Sequence, residues 1–131
     1  MADMGSISVT GLGTRAGYRA TIVLYIDIPA NTHIEAHEPP EPTLIPTVVE
    51  VEGLHDVEID YPPPRRKDIG IPGAELLVYD DRIRVEVRGR LAGEEHTIRG
   101  RIRYQPCVGG ACLPARTGQW SAVLQRMERA S

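Results

Sequence analysis

Arg82-Ile83-Arg84-Val85-Glu86-Val87-Arg88 sets a charged residue against a β-branched one at every step. A side-chain period of two is the pattern of a strand with one face in a core and the other in water. On a helix the same residues would scatter around the axis. Working outward, Ile22, Leu24, Ile26 and Ile28 share one parity, Ile45 to Val51 is a β-branched run, and Val57-Glu58-Ile59-Asp60-Tyr61 is a short one. Thr97 to Tyr104 carries Ile98, Ile102 and Tyr104 on one face. It is the expected partner of the Arg82 strand, with Ala92-Gly93-Glu94-Glu95 as the hairpin turn between them. A last strand is expected from about Gly118 to Leu124 with Trp120, Ala122 and Leu124 inward, and Ala122 to Ala130 is the one stretch with helical character. Short strands at such spacing predict an all-β fold, an antiparallel β-sandwich.

The 131 residues suit a single domain over 1–131 with one core, expected to span about 18–125. Phe is absent, so that core rests on Ile, Val and Leu with Tyr and Trp120. The formal net charge of −3, with arginines interleaved among Asp and Glu, gives no electrostatic reason to expect nucleic acid as partner. No run approaches the roughly 20 apolar residues of a membrane helix, so no membrane insertion by this segment is expected. Met1-Ala2-Asp3-Met4-Gly5-Ser6 has neither a basic n-region nor an apolar h-region. The segment therefore reads as cytoplasmic or as a domain of a longer exported or membrane protein. Two proline-rich stretches, Glu38-Pro39-Pro40-Glu41-Pro42 and Tyr61-Pro62-Pro63-Pro64 leading into Arg65-Arg66-Lys67-Asp68, are expected to be surface loops.

Chemistry concentrates in Tyr104-Gln105-Pro106-Cys107-Val108-Gly109-Gly110-Ala111-Cys112-Leu113-Pro114, which holds both cysteines. If Gly109-Gly110 is a two-residue hairpin loop, glycine supplies the positive φ such loops require. Val108 then faces Ala111, and Cys107 faces Cys112 as a non-hydrogen-bonded pair with Cα atoms about 4.5 Å apart. That separation permits a disulfide, near the short limit of about 4.4 Å. A six-residue ring constrains the unfolded chain by only about 2 kcal/mol, against about 4.7 kcal/mol for a 100-residue loop. The bond is therefore poorly placed to hold a fold together and well placed to open and close. Pro106 and Pro114 bracket the unit and stiffen its ends.

Other readings of the same residues stand beside this one: a passive hairpin disulfide, two inert thiols, or a zinc site. A closed zinc site normally takes four ligands at fixed spacing, and His33, His37, His55 and His96 are scattered, so no metal is expected. His33-Ile34-Glu35-Ala36-His37 reads as extended, and its histidines as surface or turn residues. Arg101, Arg103 and Arg116 are close in sequence to the thiols and are candidates for lowering a cysteine pKa, as is Arg65-Arg66-Lys67 if its loop folds over them.

Tyr104, Gln105 and Cys107, a Gly-containing turn, then Cys112 and Pro114 at the end of an all-β domain resemble the N-terminal domain of DsbD-type thiol:disulfide interchange proteins. Ile28-Pro29-Ala30-Asn31-Thr32-His33-Ile34 is similar to an early segment of that family, Tyr61-Pro62 to its Tyr-Pro, and Val78-Tyr79-Asp80-Asp81-Arg82-Ile83 to the strand that follows. The resemblance implies an immunoglobulin-like sandwich with a redox-active cysteine hairpin. It implies an oxidoreductase of the protein-disulfide reductase type, with no cofactor beyond the disulfide. Electrons would pass from a thioredoxin-like protein or domain to periplasmic substrate disulfide proteins or to cytochrome c biogenesis. By the family pattern Cys112 forms the mixed disulfide and Cys107 resolves it, and a cap loop matching about 62–73 shields the pair. The cysteine spacing is shorter than in the best-known member. Arg65, Arg66, Lys67, Asp68 and Ile69 stand where that member has acidic and aromatic cap residues. The rival class is a non-catalytic sandwich that binds a partner protein and carries a static bridge.

Overall fold

The computed structural model describes residues 4–38, 44–68 and 75–127, and the side chains of Asp68 and Glu75 are not described. Its frame grows from β2 (Arg19–Asp27), where Ala20, Ile22, Leu24 and Ile26 all point inward with at most 2% of their surface exposed. β1 (Ser8–Ala16) pairs antiparallel with β2 along its whole length, from Ser8 opposite Asp27 to Ala16 opposite Arg19. Gly17, with φ +60°, makes the turn between them. On the other side of β2 lies β8 (Arg82–Leu91), the alternating strand, whose Val85 and Val87 are fully buried. β5 (Leu54–Asp60) closes that side, with a register shift between His55 and Glu58 where Asp56 takes φ +53°.

β9 (Thr97–Tyr104) lies between β4 (Val48–Val51) and β12 (Arg116–Arg126), and turns Ile98, Ile102 and Tyr104 toward Trp120, Ala122 and Leu124. β1 joins the two groups, because its end also runs parallel to β12 from Gly13–Leu124 to Arg15–Arg126. The strand order is thus β4-β9-β12-β1-β2-β8-β5. The sheets pack as a sandwich, so that the inward residues of β2 and β8 share one core with those of β9 and β12. Close approach decides some side chains. A Cβ on Gly100 would overlap the Glu50 carbonyl oxygen and the Trp120 ring.

A second sheet carries the order β11-β10-β3-β7-β6. Its strands are β3 (Thr32–Glu35), β6 (Arg65–Asp68), β7 (Glu75–Tyr79), β10 (Pro106–Val108) and β11 (Ala111–Cys112). Ile34 and Tyr79 tie it to the sandwich core.

The all-β sandwich, the inward parity of β2 and the inward face of the last strand follow the sequence expectation. Four local expectations do not. β8 and β9 are not a hairpin: β8 pairs with β2 and β5, and β9 with β12 and β4. The Ala92–Glu95 segment instead crosses between the two groups, held by Arg15, whose Nη1 donates to the Glu95 carbonyl at 3.0 Å and Nη2 to that of Gly93 at 3.3 Å. The Ala122–Ala130 stretch is not helical in its described part, because β12 continues to Arg126 along β9 and β1; residues 128–130 lie outside the described residues. The run from Ile45 is a strand only from Val48. Tyr61 to Pro64 is irregular as expected, but Arg65–Asp68 is a strand on β7 rather than a loop. Proline stretch 39–42 and Ile69 lie outside the described residues.

Candidate redox site

The hairpin β10–β11 forms in the expected register, Val108 opposite Ala111 and Cys107 opposite Cys112. Only Gly109 of the glycine pair is left-handed, at φ +65°, the demand of a II′ loop, which needs positive φ at its first central residue alone. Its N–H donates to the Asn31 carbonyl at 3.0 Å, and the Leu113 N–H donates to that of Pro106 at 2.8 Å. The cysteines are joined by a disulfide with their Cα atoms 3.9 Å apart, closer than the separation of an unbridged pair. Pro106 is buried, Pro114 and Gly110 are exposed, and Tyr104 is buried in the core. The Gln105 side-chain amide donates to the Leu113 carbonyl at 3.1 Å and closes the base of the hairpin.

The two sulfurs have unequal surroundings. β10 is paired on both sides, with Cys107 opposite Cys112 and also opposite His33 of β3. Cys107 is 2% exposed. Cys112 sits on a two-residue edge strand and is exposed.

Beneath Cys107 the structure corrects the reading of His33 as a surface or turn residue: it is 6% exposed. Strand alternation puts His33 and Glu35 on the face that carries Cys107, while Ile34 faces the core. Glu35 is 2% exposed. One ligating atom from each of His33, Glu35 and Cys107 lies within 4.8 Å of the others. His33 Nε2 and Glu35 Oε2 are buried with no hydrogen-bond partner among the described residues. Lys67 Nζ stands 3.0 Å from His33 Nδ1. Burial, then the Lys67 charge, hold the His33 pKa below its usual value against the opposing pull of Asp80. Burial alone lifts the Glu35 carboxyl above its usual range.

Among the cations considered from sequence, Lys67 reaches this cluster through His33. Arg65 pairs with Asp80 at 3.0 Å, Arg101 pairs with Glu50 at 3.3 Å, and Arg116 donates to Ser6 Oγ at 3.1 Å. Arg103 is exposed. His37 stacks on Tyr61 with ring centroids 3.7 Å apart, and His55 and His96 are exposed. Glu35 was not singled out by sequence reasoning as a site residue. The available signal was the polar alternation of His33 and Glu35 in a short extended segment, which points to the cysteines only once β3 is known to pair with β10.

A family model of the N-terminal part of the thiol:disulfide interchange protein DsbD matches residues 8–123. Among solved structures, the N-terminal periplasmic domain of ScsB from Proteus mirabilis is similar with a TM-score of 0.64 and 14% identity. That match covers 92% of this chain but 45% of the ScsB chain, so this chain spans less than half of that relative. The N-terminal domain of Neisseria meningitidis DsbD in its reduced form is similar with a TM-score of 0.51 and 13% identity, over 88% of this chain and 83% of that one. Among curated proteins none matches the chain.

Proposed function

The chain belongs to the family of DsbD N-terminal domains, and from that membership and the unequal exposure of its two bonded cysteines we propose that it relays electrons from a thioredoxin-like donor to substrate disulfides through a reversible Cys107–Cys112 bond. The observation that carries the reading is an exposed Cys112 bonded to a buried Cys107 at a sheet edge. A donor thiolate attacks the Cys112 sulfur, the Cys107 sulfur leaves as thiolate, and a mixed disulfide joins the donor to Cys112. The second donor thiolate attacks the donor's own sulfur in that bond and releases Cys112, leaving the donor oxidised and this domain a dithiol. In the second half-cycle the Cys112 thiolate attacks a substrate disulfide and Cys107 resolves the product. The disulfide is the redox group of this cycle, and no other cofactor takes part in it. An extracytoplasmic setting, where substrate disulfides persist, fits this role.

The test is trapping with a thioredoxin-like partner. Cys107→Ser accumulates a mixed disulfide through Cys112, and Cys112→Ser does not. Equal trapping by both variants overturns the assignment of roles. A measured potential well below about −300 mV would instead mark a structural bridge and overturn the relay.

A further inference from the structure

We propose that His33 and Glu35 are the acid–base pair of the buried sulfur: the His33 Nε2–H donates to the Cys107 thiolate as it forms, and the Glu35 carboxyl gives that sulfur its proton and takes it back. The proposal rests on the exchange reading above and goes beyond it by assigning the proton.

The geometry starts with the unpartnered atoms. A buried polar atom with no partner is rare, and here His33 Nε2 and Glu35 Oε2 are both in that state among the described residues, in side chains that each bring one ligating atom within 4.8 Å of the Cys107 sulfur. The tautomer follows from Lys67. An ammonium has only donors, so at 3.0 Å its Nζ donates to His33 Nδ1, which must accept. The proton of the neutral ring therefore sits on Nε2, an N–H with no acceptor among the described residues. Cleavage of the Cys107–Cys112 bond turns the Cys107 sulfur from a weak acceptor into an anion in the same cluster.

The groups facing the pair are Lys67 from β6, Asp80 after β7 and Cys107 from β10. Asp80 is itself held by Arg65. Burial keeps Glu35 toward its protonated form and His33 toward its neutral one, so the pocket is set for a proton rather than for a charge. The same three residues have the spacing of a metal site, but a ligating histidine donates its other N–H to an acceptor. Here that nitrogen faces a cation, which opposes metal binding and favours the Nε2–H form.

The step balances. The donor thiolate forms a bond to Cys112 Sγ, and the electron pair of the broken S–S bond goes to Cys107 Sγ. That sulfur takes the Glu35 proton, leaving a carboxylate. In the reverse direction the carboxylate removes the Cys107 proton and the resulting thiolate attacks Cys112 Sγ.

The reduced domain treated with 5,5′-dithiobis(2-nitrobenzoate) isolates this step. The reagent caps Cys112, and the attack of Cys107 on Cys112 Sγ then releases a second thionitrobenzoate at a rate that can be followed against pH. Glu35→Gln is expected to slow this release roughly tenfold or more near neutral pH, with the deficit closing at alkaline pH, where Cys107 ionises unaided. Glu35→Asp should recover part of the rate. His33→Gln should move the profile to higher pH. An unchanged profile in both Glu35→Gln and His33→Gln overturns the proposal, and so does a loss by the same factor at every pH, which is the mark of a structural role. Should Glu35→Gln fail to fold by near-ultraviolet circular dichroism, Lys67→Met at the surface tests the same device. It should also shift the profile upward, and no shift overturns the proposal. The probe is a small aryl disulfide, so a wild-type domain that resolves it but ignores thioredoxin-like partners would sink the relay alone.

Discussion

Reduction of the Cys107–Cys112 bond should leave the domain folded and modestly less stable. The ring closed by that bond is six residues long, from Cys107 to Cys112, and chain entropy assigns such a ring about 2 kcal/mol. Domains of ordinary size are stable by about 5–15 kcal/mol, so the dithiol form keeps most of its margin. Unfolding entropy of about 2.1 cal/mol/K per residue gives about 0.28 kcal/mol/K for a chain of 131 residues. Loss of about 2 kcal/mol then lowers Tm by about 7 °C. Linkage carries the same quantity into the redox couple: about 1.4 kcal/mol corresponds to 30 mV, so folding should make the disulfide harder to reduce by about 45 mV relative to the urea-unfolded chain. Paired thermal melts of oxidised and dithiothreitol-reduced protein give the first number, and glutathione titrations with and without urea give the second. A reduced domain that is unfolded at 25 °C, or a Tm drop well beyond about 20 °C, would refute the reasoning. Either would mean that the bond holds the smaller sheet together, and a relay that unfolds on every turnover is not credible.

Gly100→Ala should destabilise the domain by about 1–3 kcal/mol, because the added methyl overlaps the Trp120 ring and the Glu50 carbonyl. Urea unfolding followed by the fluorescence of Trp120 measures it, and an unchanged midpoint would count against the packing described. His33 gives a pH dependence whose sign is fixed. Its folded pKa lies below its unfolded one, so between the two the unfolded chain binds the extra proton and stability falls as pH falls through that window. Chemical denaturation of wild type and His33→Gln across mildly acidic pH should show a fall that is shallower in the variant, and parallel curves would refute the assignment. Glu35 acts with the opposite sense: its raised pKa means the folded state holds the proton longer, so stability declines as pH rises between its unfolded and folded values. Glu35→Gln should remove that decline, read by the same denaturation series carried upward from the ordinary carboxylate range.

The strands most legible from sequence were those whose inner and outer faces differ in chemistry. Val85 and Val87 alternate with charge, and Ile22, Leu24 and Ile26 keep one parity; all five are buried. What alternation does not encode is the neighbour. β8 and β9 are close in sequence with a plausible turn between them, yet each has its full set of partners elsewhere, since a sandwich brings together faces rather than successive strands. β1 was missed because its inward positions include Gly11 and Gly13, whose lack of a side chain is what lets β12 approach. The residues from Ala122 onward have good helix propensity, but pairing with β9 and β1 on a face that buries Trp120, Ala122 and Leu124 overrides it. At the site, the hairpin register was readable from Gly109-Gly110 because a two-residue loop leaves little choice of pairing. The Lys67–His33–Glu35 cluster was not, because its members come from β6 and β3, and they meet through sheet order alone.

That sheet order also explains why one bond has an exposed residue at one end and a buried one at the other. An edge strand normally exposes a row of unpaired backbone groups and invites aggregation. β11 has only two residues, too short a template for another chain to extend, yet long enough to hold Cys112 in register. β10 lies inside it, paired on both sides, so Cys107 is covered by the same ladder that presents its partner. Moving the cysteines one residue inward on each strand would put both on the opposite face, away from His33 and Glu35. The polarity proposed for the exchange therefore does not need different intrinsic chemistry in two identical thiols. It follows from placing one on the last strand of a sheet and the other on the strand before it, with a buried donor and a buried carboxyl behind the second sulfur alone.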